Sequence, residues 1–339
     1  MKLFIILFIF SAINPLTVTG ENTRKYEFSL GTGFGFVYGQ SFEYVYANSE
    51  IVAELLSELT WEMKPVYYLG FHSDFSRKHL MDGFGFFSSV DFKVGIRGDS
   101  GVHENRDWMS NENSDLTHFS THTNLTKNLF WLDLSVGLSI PVKPYFYIKP
   151  FISGSWMHFS FSGKNGHGIY ARRTDCPEDC AGKPPCKRHE ITTYFPIGNL
   201  PHFFSFDGAG TVITYQQDWF ILAAGFSIGT NIFSPFSFEF SFKISPLTYC
   251  AAIDNHLFDS ITTYYDFTYG GLFIEPIMGV FYSVNKLDIS FEFIYRYISR
   301  TKGPSYMEEN KSGVVKPISN AGGASLSLFD YRFLFKLRI

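Results

Sequence analysis

An aspartate and a histidine two positions apart, Asp254 and His256, are the residues in this sequence best suited to chemistry. At this spacing a carboxylate can hold one imidazole tautomer and stabilise the imidazolium that forms when the ring accepts a proton. The pair follows an alternating segment that begins at Phe236, so we expect it on a loop at a strand's end. Because such triplets are also common on surfaces, the pair indicates acid–base chemistry without assigning a reaction.

A second polar segment, His103–Met109, reads HENRDWM and contains Asn105 and Asp107. Ser120 and His122 follow it within the same predicted loop. A serine near a histidine invites a serine-protease interpretation, but the glycine pattern of a nucleophile elbow is missing around Ser120. We therefore interpret Ser120 and His122 as structural residues.

The four cysteines indicate the compartment of the protein. They are Cys176, Cys180, Cys186 and Cys250. In an exported protein they are expected to form disulfides, and four cysteines allow three full pairings. The alternative is a zinc site made by the first three together with His189, although that spacing matches no strong metal pattern.

The first twenty residues predict a signal peptide. Lys2 precedes an apolar run that ends at Phe10, and small residues follow before Glu21. We expect cleavage before Glu21, which leaves residues 21–339 as the mature, exported chain. A formal net charge of -4 excludes nucleic acid as an expected partner. No motif is specific for a cofactor or a metal, and we expect neither.

In many segments of the chain, apolar and polar residues alternate with a period of two. This is the pattern of a strand whose two faces differ. From Phe236 to Ile244, phenylalanine and isoleucine alternate with serine, glutamate and lysine. We predict ten such strands. Their cores are Tyr26–Gln40, Leu55–Phe75, Phe84–Val94, Leu129–Ile140, Pro144–Phe161, Thr211–Ile228, Phe236–Ile244, Thr262–Tyr282, Leu287–Tyr297 and Phe329–Ile339.

The connections between these strands alternate in length. Short turns such as 141–144 alternate with long polar segments at 99–127, 163–207, 253–260 and 301–320. Short turns at one end and long loops at the other are typical of an outer-membrane barrel. The alternative, a secreted β-sandwich, would need a second sheet to cover each apolar face. The sequence predicts an all-β fold: one ten-stranded transmembrane antiparallel β-barrel with long extracellular loops.

The segment from Phe236 to His256 does not keep one register if Asp254 and His256 face the lumen. Asp254 and His256 have the same parity as Phe242 and Ile244, which belong to the predicted lipid-facing side. Because Pro246 cannot donate a hydrogen bond to a neighbouring strand, a bulge or a loop near it could reset the register. Either one would turn the pair toward the lumen.

Seven short segments in order along the chain resemble the omptins, a family of outer-membrane endopeptidases. The segments are Ser29–Thr32, Glu43–Tyr46, Ser57–Trp61, Arg106–Met109, Ser120–His122, Asp254–His256 and Asn320–Gly323. The resemblance covers nearly the whole mature chain. It implies a ten-stranded barrel in the outer membrane of a Gram-negative-type bacterium that acts on peptides or proteins at the cell surface.

In omptins an Asp-His pair faces a pair of aspartates, and a water between them attacks the peptide carbonyl. The resemblance assigns these roles to Asp254 with His256 and, opposite them, to Asp107 with Asn105, where this chain has an amide in place of a carboxylate. Because an amide cannot accept a proton at neutral pH, three alternatives follow. Asn105 works in an altered site, Glu104 replaces the missing carboxylate, or the barrel binds without cleaving.

The resemblance also bears on substrate and lipid. Omptins cleave next to basic residues by means of acidic groups in a pocket; Glu43 matches one of these, but Ala252 stands at the other position. We therefore expect shifted or looser specificity. Omptins also require lipopolysaccharide, held on the fifth strand, and the matching stretch Gly154–Phe159 lacks the family's acidic and arginine residues. The lipid requirement is not expected to carry over unchanged.

The sequence thus supports two principal hypotheses. The first is an omptin-like, aspartic-type endopeptidase. The second is a catalytically impaired outer-membrane barrel that acts as an adhesin or host-protein receptor through the cysteine-bearing segment 163–207. A small porin is a third, less favoured alternative, because side chains fill the interiors of barrels this narrow.

Overall fold

The computed structural model describes residues 26–46, 55–81, 84–108, 116–143, 145–170, 202–231, 234–257, 261–309 and 311–339. These residues form fifteen strands. They are β1 Tyr26–Tyr46, β2 Leu55–Met81, β3 Phe84–Gly95, β4 Gly98–Asp107, β5 His118–Lys143, β6 Phe146–Tyr170, β7 His202–Ser205, β8 Thr211–Thr230, β9 Phe236–Ser245, β10 Thr248–His256, β11 Thr262–Tyr269, β12 Phe273–Val284, β13 Leu287–Ile298, β14 Gly303–Glu309 and β15 Val315–Arg338. Within them, no helix has the length and apolarity needed to cross a membrane.

The strands close into one antiparallel barrel. Four barrel strands consist of two consecutive elements each: β3 with β4, β9 with β10, β11 with β12, and β13 with β14. The short β7 only adds to the edge of β6. The last strand, β15, pairs with β1, so the described part of the ring has ten strands and no open edge. The predicted ten-stranded barrel is confirmed.

The outer surface carries an apolar belt. On β9, Phe236, Phe238, Phe240 and Ile244 are exposed, whereas Lys243 between them is buried. Tyrosines form the belt's upper edge, as expected where a lipid-facing surface meets water. They are Tyr38, Tyr67, Tyr249 and Tyr269. We call the part of the barrel beyond these tyrosines the upper half, and the part within the belt the lower half.

The lumen of the lower half is filled by charged side chains. Lys93 Nζ lies 2.6 Å from Asp330 Oδ2, and Arg332 bridges Asp91 and Glu292. Towards the lower end, a cavity of about 720 Å³ is lined by further acids and bases. Each ion pair offsets the cost of burying its charges inside a wall whose outside faces lipid.

A layer of large buried side chains separates this lumen from the upper half. Trp61, Trp131 and Trp219 are fully buried, together with Phe159 and Phe161. Arg296 lies 3.2 Å from the centre of the Trp131 ring, which links this layer to the charges below. The interior is therefore packed, as expected for a barrel of this width.

Several strands run further than their alternation predicts. Parts of the segments 99–127, 253–260 and 301–320 are strand, since β4, β5, β10, β14 and β15 run into them. The reason is that the upper half has no lipid around it, so its outer positions are polar and the alternation that marks a strand disappears. Asp254, His256, Ser120 and His122 accordingly lie on strands rather than on loops.

Two predictions concern segments outside the described residues. The signal peptide at residues 1–20 is one, and the other is the site at Cys176, Cys180 and Cys186, whether disulfide or zinc. Cys250 is described, and it is a free thiol buried on the inner face of β10. The expectation that Cys250 forms a disulfide is therefore wrong.

Candidate active site

A bulge between β9 and β10 turns Asp254 toward the lumen. Both strands pair with β8, where Ala224 faces Ile244 and Ile221 faces Thr248. Three steps along β8 therefore match four steps along the bulged strand, and the extra residue exchanges the two faces. Ile244 is exposed, whereas Asp254 is buried, with 2% of its surface exposed.

The bulge has its own hydrogen bonds. The Ser245 hydroxyl donates to the carbonyl of Leu222 at 2.7 Å and accepts from the backbone N–H of Leu247 at 3.0 Å. Pro246 lies between these residues and has no N–H to satisfy. The local sequence Ser245–Leu247 thus explains why the strand changes register here.

Asp254 and His256 form a direct hydrogen-bonded pair, with Nε2 of the ring 2.6 Å from Oδ2 of the carboxylate. Because a carboxylate only accepts, Nε2 carries the proton, and Nδ1 is the basic atom of the neutral ring. Burial alone would lower the pKa of His256, but the charge and hydrogen bond of Asp254, with the charge of Asp107, raise it above its ordinary value. The ring is 41% exposed and open to the solvent side.

Asn105 and Asp107 form a second pair on β4. The hydroxyl of Ser57 on β2 donates to Asp107 Oδ1 at 2.6 Å and lies 3.1 Å from Asn105 Oδ1. The Asn105 amide lies 3.4 Å from Asp107 Oδ2. Burial raises the pKa of Asp107 to about 6, against the opposing effects of Ser57, His256 and Asn105.

The two pairs lie on opposite walls of the barrel. β4 is held between β2 and β5, and β10 is held between β8 and β11. The charge on His256 lowers the pKa of Asp107, and the charge on Asp107 raises that of His256. The four residues named from the sequence are therefore brought within electrostatic reach across one lumen.

Glu104 is not available to replace the missing carboxylate. It alternates with Asn105 along β4, so its side chain lies on the other face, where it pairs with Arg106. Ser120 and His122 also have a structural environment. His122 Nε2 lies 3.2 Å from Ser120 Oγ, and its other ring nitrogen contacts the backbone carbonyl of Asn165.

Two buried acids lie near Asp254. Glu43 is 1% exposed, and burial raises its pKa well above the ordinary value, with the charges of Asp254 and Asp266 adding to the effect. Asp266, on β11, was missed by the sequence analysis. It lies directly across from Ala252, the position that lacks an acid, and only the strand register could have revealed it.

On the outer wall, the matching stretch of β6 has a different polar cluster from the one the family resemblance implied. Asp218 on β8 accepts hydrogen bonds from Trp156 Nε1 at 3.1 Å and from Gln216 at 2.8 Å, and it pairs with His158 at 2.9 Å. An acid is therefore present there, but it comes from the neighbouring strand. The described residues contain no cluster of His, Cys, Asp and Glu suited to a metal ion.

The sequence model of the omptin family matches residues 24–333, nearly the whole chain. This chain belongs to the omptin family. Omptins are outer-membrane proteins of Gram-negative bacteria, so the membrane around the apolar belt is the outer membrane. Membership supports an outer-membrane protease, and the resemblance found in the sequence is confirmed.

Solved structures agree with this fold. The outer membrane protease OmpT from Escherichia coli matches with a TM-score of 0.75 at 16% identity, over 95% of this chain and 99% of that one. The P. putida toluene transporter TodX has a TM-score of 0.31 at 9% identity, over 94% and 91% of the two chains. The transport unit of the autotransporter AIDA-I from Escherichia coli has 0.33 at 9%, over 96% and 94%. The last two add nothing to the assignment. No curated protein sequence matches the chain.

Proposed function

We propose that this omptin hydrolyses peptide bonds with a water molecule activated between Asp254–His256 and Asn105–Asp107. The single observation that carries the proposal is the 2.6 Å pair of Asp254 and His256 on the inner face of the upper half, opposite Asp107. Nδ1 of His256 takes the proton of the water as the oxygen attacks the carbonyl carbon. Asp254 stabilises the imidazolium, which then protonates the leaving amine.

Asn105 takes part without accepting a proton. The Ser57 hydroxyl lies within hydrogen-bond distance of both the Asn105 amide oxygen and the Asp107 carboxylate. Both side chains therefore present polar atoms to the lumen. Asp107 accepts a hydrogen bond from the water and orients it, while the Asn105 amide donates to oxygen. One carboxylate in this pair is enough because His256, not the pair, receives the proton.

The substrate is a peptide or protein segment with a basic side chain next to the cleaved bond. This follows from the buried acid Glu43, whose Oε2 has no hydrogen-bond partner. A positive side chain that reaches Glu43 would find an acceptor there. The extended substrate approaches from the solvent above the barrel, where the ring of His256 is open.

The test is cleavage by the protein refolded in detergent micelles with outer-membrane lipid. Peptides carrying one Arg or Lys are cleaved by the parent, and His256→Ala lowers kcat/KM by at least about 100-fold, the usual contribution of a positioned base. His158→Ala is the matched control, since it removes a histidine paired with an aspartate on the outer wall. Full activity in His256→Ala would disprove the mechanism, and an inactive parent that still binds a host protein would favour an adhesin.

A further inference from the structure

Two buried carboxylates in the upper half have oxygens without partners. Glu43 Oε2 and Asp266 Oδ1 are both buried and unpaired, in side chains that are 1% and 4% exposed. Among the described residues, no Lys, Arg or His pairs with either group. Because an unpaired buried acid destabilises a fold, two neighbouring ones need an explanation outside the fold itself.

The barrel fixes Asp266 in place. Its strand, β11, runs between β10 and β14, and Asp266 lies between Ala252 on one side and Ser305 on the other. Ser305 donates a hydrogen bond to its carboxylate. On the remaining side the backbone of Gly322 approaches so closely that a Cβ there would lie 2.7 Å from Cγ of Asp266. The carboxylate therefore has a defined position, with one oxygen left over.

Small and aromatic side chains surround the two acids. Ala252, directly across from Asp266, is small and 3% exposed. Tyr215 on β8 and Cys250 on β10 are also buried. The two acids therefore lie among uncharged neighbours that offer them no cation.

We propose that Asp266 and Glu43 together bind the positive charge of the substrate's side chain, and that Asp266 determines specificity by supplying from β11 the carboxylate that Ala252 lacks. The inference rests on the proposed function and names the group that recognises its substrate. Two acidic oxygens suit a guanidinium, which can donate to both carboxylates at once, better than an ammonium. Arg is therefore preferred over Lys.

Binding at these two acids is linked to protons. Burial raises the pKa of Asp266 to about 7, and burial likewise raises the pKa of Glu43 well above its ordinary value. An entering cation favours the ionised forms of both acids, so its binding releases protons. The titratable groups that act on the pair are Asp254 and Cys250 from β10, Tyr215 from β8 and Tyr264 from β11. KM for Arg peptides therefore falls as the pH rises from 6 to 8, whereas KM for neutral peptides does not.

The experiment compares two peptides that differ only in Arg or its neutral isostere citrulline. Asp266→Asn lowers the Arg-to-citrulline ratio of kcat/KM by about 10-fold or more, since one charged hydrogen bond is lost. Adding Ala252→Asp to Asp266→Asn restores the Arg preference, and Glu309→Gln, an exposed acid paired with Lys316, is the control. A ratio unchanged in Asp266→Asn overturns the inference.

A second measurement separates this inference from the proposed function. n-Butylguanidinium binding to the refolded parent and to Asp266→Asn is followed by calorimetry in two buffers of different ionisation heat. Binding that releases a proton in the parent and weakens about 10-fold in the variant supports this binding site even if no peptide is cleaved. Equal binding by both proteins, or none by the parent, overturns it.

Discussion

The two halves of this barrel differ in whether their buried charges are paired. In the lower half, acids lie beside bases, as in the pair of Lys93 and Asp330 and the bridge made by Arg332. In the upper half, Glu43 and Asp266 are buried without any described cation beside them. Each paired charge offsets the burial cost of its partner, whereas unpaired charges with shifted pKa values are typical of sites that act on ligands.

The largest expected effect is a loss of stability when an ion pair in the lower half is broken. Arg332→Met removes the cation that bridges the buried acids Asp91 and Glu292, and Asp91 keeps longer contacts with Lys93 and His72. We expect the free energy of unfolding to fall by about 3 to 5 kcal/mol. Urea unfolding in micelles, followed by heat-modified gel mobility, measures it. Arg338→Met is the control, since Arg338 is 34% exposed beside Asp288. Equal losses in both variants would mean that the buried pairs have no special role.

The second effect concerns Asp107 in the upper half, where removing a charge is expected to increase stability rather than reduce it. Asp107→Asn removes the carboxylate that orients the water, and kcat/KM falls by about 100-fold. The pKa of Asp107 is raised from 3.8 to about 6 in the folded state. Its contribution to stability is therefore complete below pH 3.8 and is lost as the pH rises through 6.

The same variant is accordingly expected to be more stable than the parent at pH 7, by up to roughly 3 kcal/mol, and equal to it near pH 4. Urea unfolding at the two pH values measures the difference. Ser57→Ala serves as the comparison, because it removes the hydrogen bond to Asp107 without removing the charge. Loss of stability at pH 7 in Asp107→Asn would show that this acid is structural.

The third effect is a shift in the pH profile. The base His256 works only when unprotonated, and its pKa is raised above 6.5, so kcat/KM for a neutral peptide rises with pH through that region. Asp254→Asn removes the charge that holds the proton on the ring. The acid limb should then move to lower pH, together with a loss of rate. An unmoved limb would assign the titration to another group.

The sequence could predict one half of the molecule better than the other, for a physical reason. Around the lower half, lipid requires an apolar residue at every second position, so strands such as Phe236–Ser245 are visible from their alternation. Around the upper half both faces meet polar surroundings, and β4, which carries Asn105 and Asp107, resembles a loop. The existence of the strands was predictable, but their length was not.

The candidate site divides in the same way. The spacing of Asp254 and His256 indicates acid–base chemistry directly, and the resemblance that assigns roles to them and to Asp107, Asn105 and Glu43 is carried by short local segments. Asp266 was not, because its place opposite Ala252 depends on the pairing of two strands. Asp254 lies on the inner face because of the bulge after Ser245, and in the sequence Pro246 alone indicates that bulge.

The smallest effect concerns Asn105, where the upper half departs from its own family. Asn105→Asp places a second carboxylate beside Asp107, both in contact with Ser57. Like charges this close share a proton, so the pair titrates at a higher pH than Asp107 does alone. The added negative charge also favours protonated His256. The acid limb of kcat/KM should therefore move to higher pH, while the maximal rate changes by less than about 10-fold.

Asn255→Asp is the matched control, because Asn255 is on the neighbouring position of β10 and donates to Thr214 on the other face of the strand. It adds the same charge without adding it to the lumen. If Asn105→Asp moves the limb and Asn255→Asp does not, the amide at 105 sets the working pH of the site. If the rate instead rises by far more than 10-fold, the proton acceptor is the Asn105–Asp107 pair, and His256 has the secondary role of orienting the water.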